Sequence, residues 1–520
     1  MVSVLLATPP LMDPNGPYPA TAYLAGFLRS RGITAHQVDL SIMLITRLLS
    51  QAFLPRLRQA AEEYAATQED INPTVAFFLT AYADYARTID PVMAFLQGKD
   101  PSLAHRIGSR SFCPEGPGFA ALQVQGDLLA HAFGELGLQD RAKHLAALFL
   151  SDLTNVITIA IDQDFVPWRY GRDLVGPDFG PLAAKLAREP SLIDRELLDL
   201  WTPILEAHRP DLVCLTVPFM GSCYGALRLA KAVREVLPAA RIALGGGFVG
   251  GQLRDLNEPA LFEFVDYIVL DAGEQPLACL IEHLEGRLPR SGLHRTWVRE
   301  NGKVAYRVRD DLADIPQALI GTPTYGSLPL DQYFPMMRLP NVNARLQVDM
   351  RWNTLTLAHG CYWRKCAFCE TGLDFVGRYD PTPVERVVER MEQLAAETGR
   401  TGFYFVDEAA PPKLLKALSQ RLVERGLSFS WFTNIRFERA FADPALTDLM
   451  ARAGCISVSG GLETASDRLL TLMDKGVTVE QAARACRSLT RSGILVHAYL
   501  MYGFPTETEQ ETIDNLERVR

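Results

Sequence analysis

The sequence predicts an α/β fold: a doubly wound parallel sheet with a large helical insertion, followed by a partial β/α barrel. Short apolar strands alternate with helical segments at the start of the chain, again from Pro210, and once more from residue 353. Between the first two series, leucine and alanine recur at helical spacing without convincing strands. The expected domains are the doubly wound domain (1–40 and 206–288), the helical insertion (41–205), a linker (289–350) and the barrel (351–520).

Composition limits the classes of function. The chain has 520 residues, is 48% hydrophobic and carries a net charge of −9, so it can bury several cores and lacks the bulk positive charge of many nucleic-acid binders. It has no run of about 18 apolar residues that would predict a membrane span. Its start lacks a basic leader, and nine cysteines, an odd number, form a poor disulfide framework. We therefore expect a cytoplasmic protein with no nucleic-acid or membrane partner.

The first strand series has loops that are rich in glycine, proline or polar residues. Its expected strands are Val2–Thr8, Ile33–Leu40, Leu212–Val217, Arg241–Leu244 and Val265–Leu270, with the first helix over Ala20–Arg31. Doubly wound sheets bind ligands beyond the carboxyl ends of their strands. Glycine lets the backbone approach such a ligand closely. The candidate binding loops are therefore Pro9–Pro19, Pro218–Cys223, Gly245–Gly251 and Asp271–Glu274.

The last strand series predicts a β/α barrel, because five short strands alternate with helices. The expected strands are Thr354–Ala358, Gly402–Val406, Phe429–Asn434, Ile456–Ser459 and Leu495–Met501. The expected helices between them are Pro383–Thr398, Lys413–Arg425, Pro444–Ala453 and Thr478–Ser492. The sequence ends at Arg520 inside the expected fifth barrel helix, so we expect the barrel to be truncated at its carboxyl end.

Three cysteines lie within nine residues at the end of the first barrel strand, at Cys361, Cys366 and Cys369. In β/α barrels this end of the strands carries the chemistry. Three thiolates are one fewer than a closed structural site usually takes, which leaves a position for a substrate or cofactor. A zinc loop completed by His359 or a remote residue is the alternative, although closed zinc sites favour paired Cys-x2-Cys elements.

The spacing Cys-x4-Cys-x2-Cys, with Phe368 before the last cysteine, resembles the cluster loop of radical S-adenosylmethionine enzymes. The usual spacing in that family has three residues between the first two cysteines, whereas this loop has four. Elements after the later strands also resemble the family: Asp407-Glu408, Arg436, Gly460-Gly461-Leu462-Glu463-Thr464, and Gly503-Phe504-Pro505-Thr506-Glu507-Thr508.

The resemblance implies a four-iron four-sulfur cluster held as a metal centre by Cys361, Cys366 and Cys369. It further implies S-adenosylmethionine at the remaining iron and a cofactor role for Phe368, Asp407, Glu408, Arg436 and Glu463. No catalytic residue beyond the cluster ligands is assigned.

The first half resembles the cobalamin-binding domain that precedes the barrel in one large subgroup of this family. The resemblance implies cobalamin contacts at Thr8, Pro9, Thr21, Gly245, Gly246, Gly247, Gly273 and Glu274. The Asp-x-His-x-x-Gly motif that supplies an axial histidine to cobalt in related proteins is absent, and His36 and His208 have the wrong context for it. Cobalamin is therefore expected base-off, without a histidine ligand from the protein.

Taken with the barrel motifs, the resemblance implies a cobalamin-dependent radical S-adenosylmethionine methyltransferase. It would generate a 5′-deoxyadenosyl radical and methylate an unactivated carbon of a small-molecule or peptide substrate, with an electron donor such as flavodoxin or ferredoxin. One alternative keeps the radical enzyme and makes the first domain structural or substrate-binding. Another is a non-enzymatic metal or cobalamin sensor. Substrate selectivity is assigned to residues 41–205, the part outside the resemblance.

Overall fold

The computed structural model describes residues 2–120, 122, 137–166, 168–256, 258–337, 345, 346, 348 and 352–519. Parts of the predicted insertion and linker, and the predicted terminal residues of the barrel, Arg351 and Arg520, lie outside the described residues. The chain divides into two compact units, Met1–Leu312 with Tyr325–Met350, and Ala313–Thr324 with Arg351–Arg520. Across the described ranges, no helix combines the length and apolarity needed to cross a membrane.

The first unit is built on a seven-stranded mixed sheet. In chain order the strands of this unit are β1 (Val4–Thr8), β2 (Ala35–Asp39), β3 (Phe165–Val166), β4 (Arg169–Tyr170), β5 (Leu212–Thr216), β6 (Arg241–Gly245), β7 (Tyr267–Val269), β8 (Thr296–Glu300) and β9 (Lys303–Arg307). The sheet order is β2-β1-β5-β6-β7-β8-β9, and the first five of these strands run parallel. The doubly wound fold class predicted from the sequence is confirmed.

Two differences from the prediction concern short antiparallel pairs. The hairpin β8–β9 matches a hairpin that the sequence indicates at Thr296–Arg307 within the predicted linker, but it pairs with β7 and extends the first sheet. Its residues Thr296 and Val298 point inward and are fully buried, which gives this hairpin a place in the core. The predicted insertion, expected to lack strands, contains the two-residue pair β3–β4.

Helices cover the sheet and fill the insertion. They are Pro19–Ser30, Leu40–Leu48, Leu54–Ala65, Pro73–Thr80, Tyr82–Leu96, Ala104–Gly108, Leu138–Ala160, Gly180–Ala187, Leu192–His208, Cys223–Val236, Gly247–Gln252 and Glu274–Leu284. Sheet residues such as Leu5 and Leu215 share one hydrophobic core with insertion residues such as Phe149 and Trp201. The insertion is therefore packed into the first unit and is not an appended helical domain.

The order of strands creates a switch point in the first unit. Strand β1 lies between β2 and β5, so the connections after β1 and after β5 leave toward opposite sides. Open α/β sheets bind ligands in the crevice that forms outside the carboxyl ends of such strands. The residues at this crevice are Thr8, which ends β1, and Thr216, which ends β5.

The second unit contains a five-stranded parallel sheet in the order β10-β13-β14-β15-β16. The strands are β10 (Trp352–Leu355), β11 (Ala358–His359), β12 (Asp380–Pro381), β13 (Gly402–Phe405), β14 (Ser430–Ile435), β15 (Cys455–Glu463) and β16 (Leu495–Leu500). The helices are Asp374–Gly377, Val384–Thr398, Pro412–Glu424, Pro444–Arg452, Asp467–Leu472, Val479–Arg491 and Glu509–Val519. Each of the five predicted barrel strands has a counterpart, which confirms the β/α series.

Candidate functional site

The three cysteines lie on a loop between β11 and β12, at the carboxyl end of the second unit's first strand. The loop starts at Gly360, whose φ of +73° lies in the left-handed region. A Cβ at this position would collide with the carbonyl oxygen of Arg378, so the turn requires glycine. Backbone bonds then fix the loop: Cys361 N donates to Val376 O at 3.1 Å, and Cys369 N donates to Cys366 O at 3.1 Å.

The three thiols lie close enough to interact electrostatically. Cys366 is buried, Cys361 is half-buried and Cys369 is exposed. The pKa of the Cys369 thiol is raised by partial burial and by the neighbouring Cys366 and Cys361, while Lys475 opposes that rise. At Cys369 the Lys475 cation thus favours the thiolate, which is the form that binds metals.

Three thiols on one loop are a donor set that an iron–sulfur cluster can take, and among the described residues no closed single-ion site is assembled there. Within the described ranges, no three histidine, cysteine, aspartate or glutamate side chains are arranged to hold one metal ion. A four-iron cluster takes each thiolate on a different iron, so its ligands stand farther apart than those of mononuclear zinc. His359, the alternative fourth zinc ligand, is instead bonded to Asp374, with Nε2 2.9 Å from Oδ2. Burial alone would raise the pKa of Asp374, but bonds from His359 and Arg378 lower it.

Asp407 supports the strand end that precedes the cysteine loop. Its carboxylate accepts hydrogen bonds from the backbone N–H of Leu357 at 3.0 Å and of Ala358 at 2.7 Å. Burial nevertheless raises the pKa of Asp407 to about 7. These contacts give Asp407 a positioning role, and its predicted cofactor contact stays a prediction. The neighbouring Glu408 is exposed, and its carboxylate interacts electrostatically with Cys369.

Two buried cations flank the cysteine loop. Lys475 Nζ lies 2.6 Å from Glu463 Oε1 and 5.5 Å from the centroid of the Phe368 ring. Arg436 Nη1 lies 3.7 Å from Cys366 Sγ. Three of the predicted cofactor-binding residues therefore lie together. Phe368 is part of the cysteine loop, and Glu463 and Arg436 lie beside it. The structure also adds Lys475, which was not among the site residues predicted from the sequence.

The carboxyl edge of the first sheet carries two buried hydroxyls without partners. Thr21 and Thr216 are 2% and 7% exposed, and neither Oγ1 has a hydrogen-bond partner in the part of the chain that the structure describes. Thr8 and Pro9 lie at the same strand ends, with Thr8 buried. An unpaired buried hydroxyl destabilises a fold unless a ligand or water pairs with it. Thr216 was not among the residues predicted from the sequence, because only the tertiary structure reveals that its hydroxyl is unpaired among the described residues.

The glycine run Gly245-Gly246-Gly247 joins β6 to the next helix. Gly246 has a φ of +114°, and a Cβ there would lie 2.6 Å from the carbonyl oxygen of Val217. The run therefore brings the loops after β5 and β6 into backbone contact. Beside it lies a cavity of about 510 Å³ with a mainly apolar lining that includes Met220, Leu244 and Phe248.

The remaining predicted cobalamin contacts lie at the start of the helix Glu274–Leu284. A Cβ on Gly273 would meet Leu24 Cδ2 at 3.4 Å, which is ordinary packing distance. Glu274 interacts with Arg31, whose pKa is lowered by burial and raised in part by this carboxylate. His36 and His208 pack against each other with tilted rings, their centroids 4.2 Å apart, near the amino ends of β2 and β5, opposite the crevice.

Comparison with known proteins defines the class of the second unit. Residues 355–519 match the family model of the Radical SAM superfamily. This match covers most of the second unit and confirms the resemblance carried by the cysteine loop and the motifs after it.

Two solved structures resemble this chain over more than its second unit. The chain is similar to the radical S-adenosylmethionine methyltransferase TsrM from Kitasatospora setae, with a TM-score of 0.53 and 16% identity over 100% of this chain and 71% of that one. Another structure of TsrM contains cobalamin and a four-iron four-sulfur cluster. It is also similar to the cobalamin-dependent enzyme OxsB, with a TM-score of 0.50 and 17% identity over 62% of this chain and 45% of that one. The chain therefore has the fold of cobalamin-dependent radical S-adenosylmethionine enzymes.

Among the curated proteins that share sequence with this chain, two examples each match about 60% of it. One is an uncharacterized methyltransferase of Pyrococcus horikoshii, 26% identical over 59% of this chain and 63% of its own length. The other is an anaerobic magnesium-protoporphyrin IX monomethyl ester cyclase of Rubrivivax gelatinosus, 26% identical over 60% of this chain and 54% of its own length. The chain thus spans less than two thirds of either relative.

Proposed function

We propose that this protein is a cobalamin-dependent radical S-adenosylmethionine enzyme that methylates an unactivated carbon. The observation that carries the proposal is the loop of Cys361, Cys366 and Cys369, three interacting thiols at the carboxyl end of a parallel β/α series. The fold shared with TsrM and OxsB supports cobalamin as the second cofactor.

The residues of the second unit would hold and orient the cluster. Cys361, Cys366 and Cys369 would bind three irons, which leaves the fourth for the amino and carboxylate groups of S-adenosylmethionine. When bound, the cluster, S-adenosylmethionine and cobalamin supply a 5′-deoxyadenosyl radical and a methyl group. Glu408, an exposed carboxylate beside Cys369, has the charge to bind the amino group of S-adenosylmethionine. Asp407 would keep the strand end under the loop in place through its two backbone bonds.

The first unit offers groups that fit cobalamin. Thr21 and Thr216 present unpaired hydroxyls at the switch point, and amide side chains such as those of the corrin ring are suitable partners. The apolar cavity beside Gly245–Gly247 would take the nucleotide tail. Because His36 and His208 contact each other at the opposite strand ends, we propose base-off binding without a histidine from either.

We further propose a small-molecule or peptide substrate and an electron donor such as flavodoxin or ferredoxin. A cytosolic location is part of this proposal, because all nine cysteines are free of disulfide bonds and such thiols persist in reducing compartments.

The test is anaerobic reconstitution with iron and sulfide, followed by dithionite and S-adenosylmethionine. The wild type is expected to gain cluster absorbance and to produce 5′-deoxyadenosine, measured by mass spectrometry. Cys366→Ala should lose both, whereas Cys455→Ala, which removes a buried thiol on β15, should keep both. If the wild type gains no cluster absorbance and produces no 5′-deoxyadenosine, the proposal of a radical enzyme is refuted. Bound cobalt after incubation with hydroxocobalamin decides between the cobalamin enzyme and a structural first domain.

A further inference from the structure

The guanidinium of Arg436 occupies a buried position between the cysteine loop and the turn that follows the helix Asp467–Leu472. Arg436 is 4% exposed and follows β14 directly. Its Nη1 donates toward Cys366 Sγ at 3.7 Å, and its Nη2 donates to the carbonyl oxygen of Lys475. Its Nε donates to Glu438 Oε1 at 3.3 Å. All three nitrogens of the guanidinium are therefore engaged within the protein.

An aromatic ring fixes the orientation of this guanidinium. Arg436 Cζ lies 4.4 Å from the centroid of the Trp363 ring, within the range of a cation–π contact. Trp363 is held in turn by its Nε1, which donates to Asp474 O at 2.8 Å. Gly476 makes room for the ring, because a Cβ there would collide with Trp363 Cζ2. Arginine, rather than lysine, suits a site that combines ring stacking with several hydrogen bonds.

A carboxylate beside Arg436 is shared with a second loop residue. Glu438 Oε1 also accepts a hydrogen bond from Tyr362 Oη at 2.8 Å. Burial and the carboxylate together raise the pKa of Tyr362, which keeps its hydroxyl protonated as a donor. Glu438 therefore balances part of the Arg436 charge, while the Nη1 of Arg436 remains directed at the sulfur.

These contacts leave little of Arg436 to bind S-adenosylmethionine, the role that the sequence resemblance implied. A hydrogen bond and a buried positive charge near a ligating sulfur stabilise the reduced form of an iron–sulfur cluster, because reduction adds one negative charge. Burial strengthens this effect, since an exposed cation at similar distance is screened by water.

We propose that Arg436 is a positioning residue that raises the reduction potential of the cluster through Cys366, and that it is not a ligand of S-adenosylmethionine. The inference rests on the proposed function, because it requires the cluster to bind at the three cysteines. It extends that function by assigning to one buried side chain the task of keeping the cluster reducible by a cellular donor.

The chain offers a matched control on the same loop. Lys365 also places its cation near Trp363, with Nζ 5.1 Å from the ring centroid, but Lys365 is exposed. Both residues carry one positive charge close to Cys366. Lys365 precedes Cys366 in the sequence, whereas Arg436 contacts its sulfur. Only Arg436 is buried and bonded to that sulfur, so Lys365→Met removes an equal charge without the proposed interaction.

The experiment measures the midpoint potential of the reconstituted cluster in the full chain, by redox titration followed by EPR. Arg436→Met is expected to shift the potential to more negative values by more than Lys365→Met does. Arg436→Lys, which keeps the charge and loses the planar fork, should give an intermediate shift. Iron and sulfide per chain are measured in parallel. The affinity for S-adenosylmethionine should change little in Arg436→Lys.

The outcomes separate the inference from the proposed function. A loaded Arg436→Met protein with the potential of the wild type would overturn the inference and leave the proposed function intact. Failure of both Arg436 variants to load, while Lys365→Met loads, would also overturn it, because Arg436 would then serve the fold of the loop. A wild type that takes up no cluster would instead refute the proposed function itself.

Discussion

Lys475 and Glu463 form a buried ion pair, with Nζ 2.6 Å from Oε1, beneath the cysteine loop. Their side chains are 7% and 11% exposed. Glu463 has a φ of +64° at the end of β15, so the backbone accepts a left-handed conformation where the carboxylate meets the lysine. The pair connects the end of the fourth strand of the sheet to the turn that Trp363 and Arg436 also contact.

Breaking this pair should destabilise the second unit. In Lys475→Met the Glu463 carboxylate would stay buried without its counter-charge, which costs about 3 kcal/mol in comparable buried pairs. Urea unfolding followed by tryptophan fluorescence should show the loss, and the double variant with Glu463→Gln should recover part of it. The exposed pair Arg484–Glu480 is the control, because Arg484→Met should change stability by less than about 1 kcal/mol. If Lys475→Met and Arg484→Met lower the free energy of unfolding equally, the buried Lys475–Glu463 pair does not stabilise the second unit more than an exposed pair does.

Asp407 should make the stability of the second unit depend on pH. Its pKa is raised to about 7 by burial, well above the ordinary value of 3.8. Between these two values the folded state holds a proton that the unfolded state has released, so the contribution of Asp407 to stability is largest at and below about pH 4 and falls as pH rises toward about 7. The slope can reach about 1.4 kcal/mol per pH unit.

The comparison that isolates this effect is wild type against Asp407→Asn across that pH range. Asparagine offers one acceptor oxygen to Leu357 and Ala358, so the variant carries a constant offset without the titration. The difference in unfolding free energy between the two proteins should therefore change from pH 4 to pH 7 and level off above it. A difference that stays constant with pH would show that Asp407 does not titrate in this range.

The β/α alternation was predictable because it depends on local sequence. The barrel strands fall close to their predicted bounds, since each is a short apolar run between helical segments and turn residues. The cysteine loop was equally predictable, because its three donors lie within nine residues of sequence. Local patterns did not reveal that the hairpin β8–β9 joins the first sheet, since strand pairing depends on tertiary contacts.

The partners of site residues were not predictable for the same reason. Asp407 binds the backbone of residue 357, which is 50 positions away, and Arg436 meets a sulfur 70 positions away. The sequence placed both residues at strand ends, where family resemblance implies cofactor contacts. It could not show that backbone amides and a thiol already occupy much of their hydrogen-bonding capacity.

Gly476 should be irreplaceable because of Trp363. Gly476→Ala would place a Cβ in the indole at a φ of +71°, and should displace the ring and lower the iron content after reconstitution. Gly493 has a similar φ of +81° with open space around it, so Gly493→Ala reports the backbone strain alone, about 1 kcal/mol. Adding Trp363→Ala to Gly476→Ala should restore part of the stability. If Gly476→Ala and Gly493→Ala lose similar amounts of stability and of iron content, the clash with Trp363 is excluded as the cause.

The Thr216 hydroxyl should lower the stability of the cobalamin-free protein and favour cobalamin binding at the carboxyl edge of the first sheet. Its buried hydroxyl has no partner among the described residues, so Thr216→Val should raise the stability of the cobalamin-free protein by about 1 kcal/mol. The same change should weaken hydroxocobalamin binding, measured by equilibrium dialysis, if the hydroxyl pairs with the cofactor.

Thr296 at the start of β8 provides the matched control. It is equally buried, but its hydroxyl donates to His294 O at 2.7 Å, so Thr296→Val leaves that carbonyl without its donor and should destabilise the first unit. Opposite signs for the two valine variants in urea unfolding would establish that the Thr216 hydroxyl is unpaired in the free protein. Destabilisation by Thr216→Val with unchanged cobalamin affinity would mean that the hydroxyl has a partner within the protein, and the crevice would lose one of its two proposed ligand contacts.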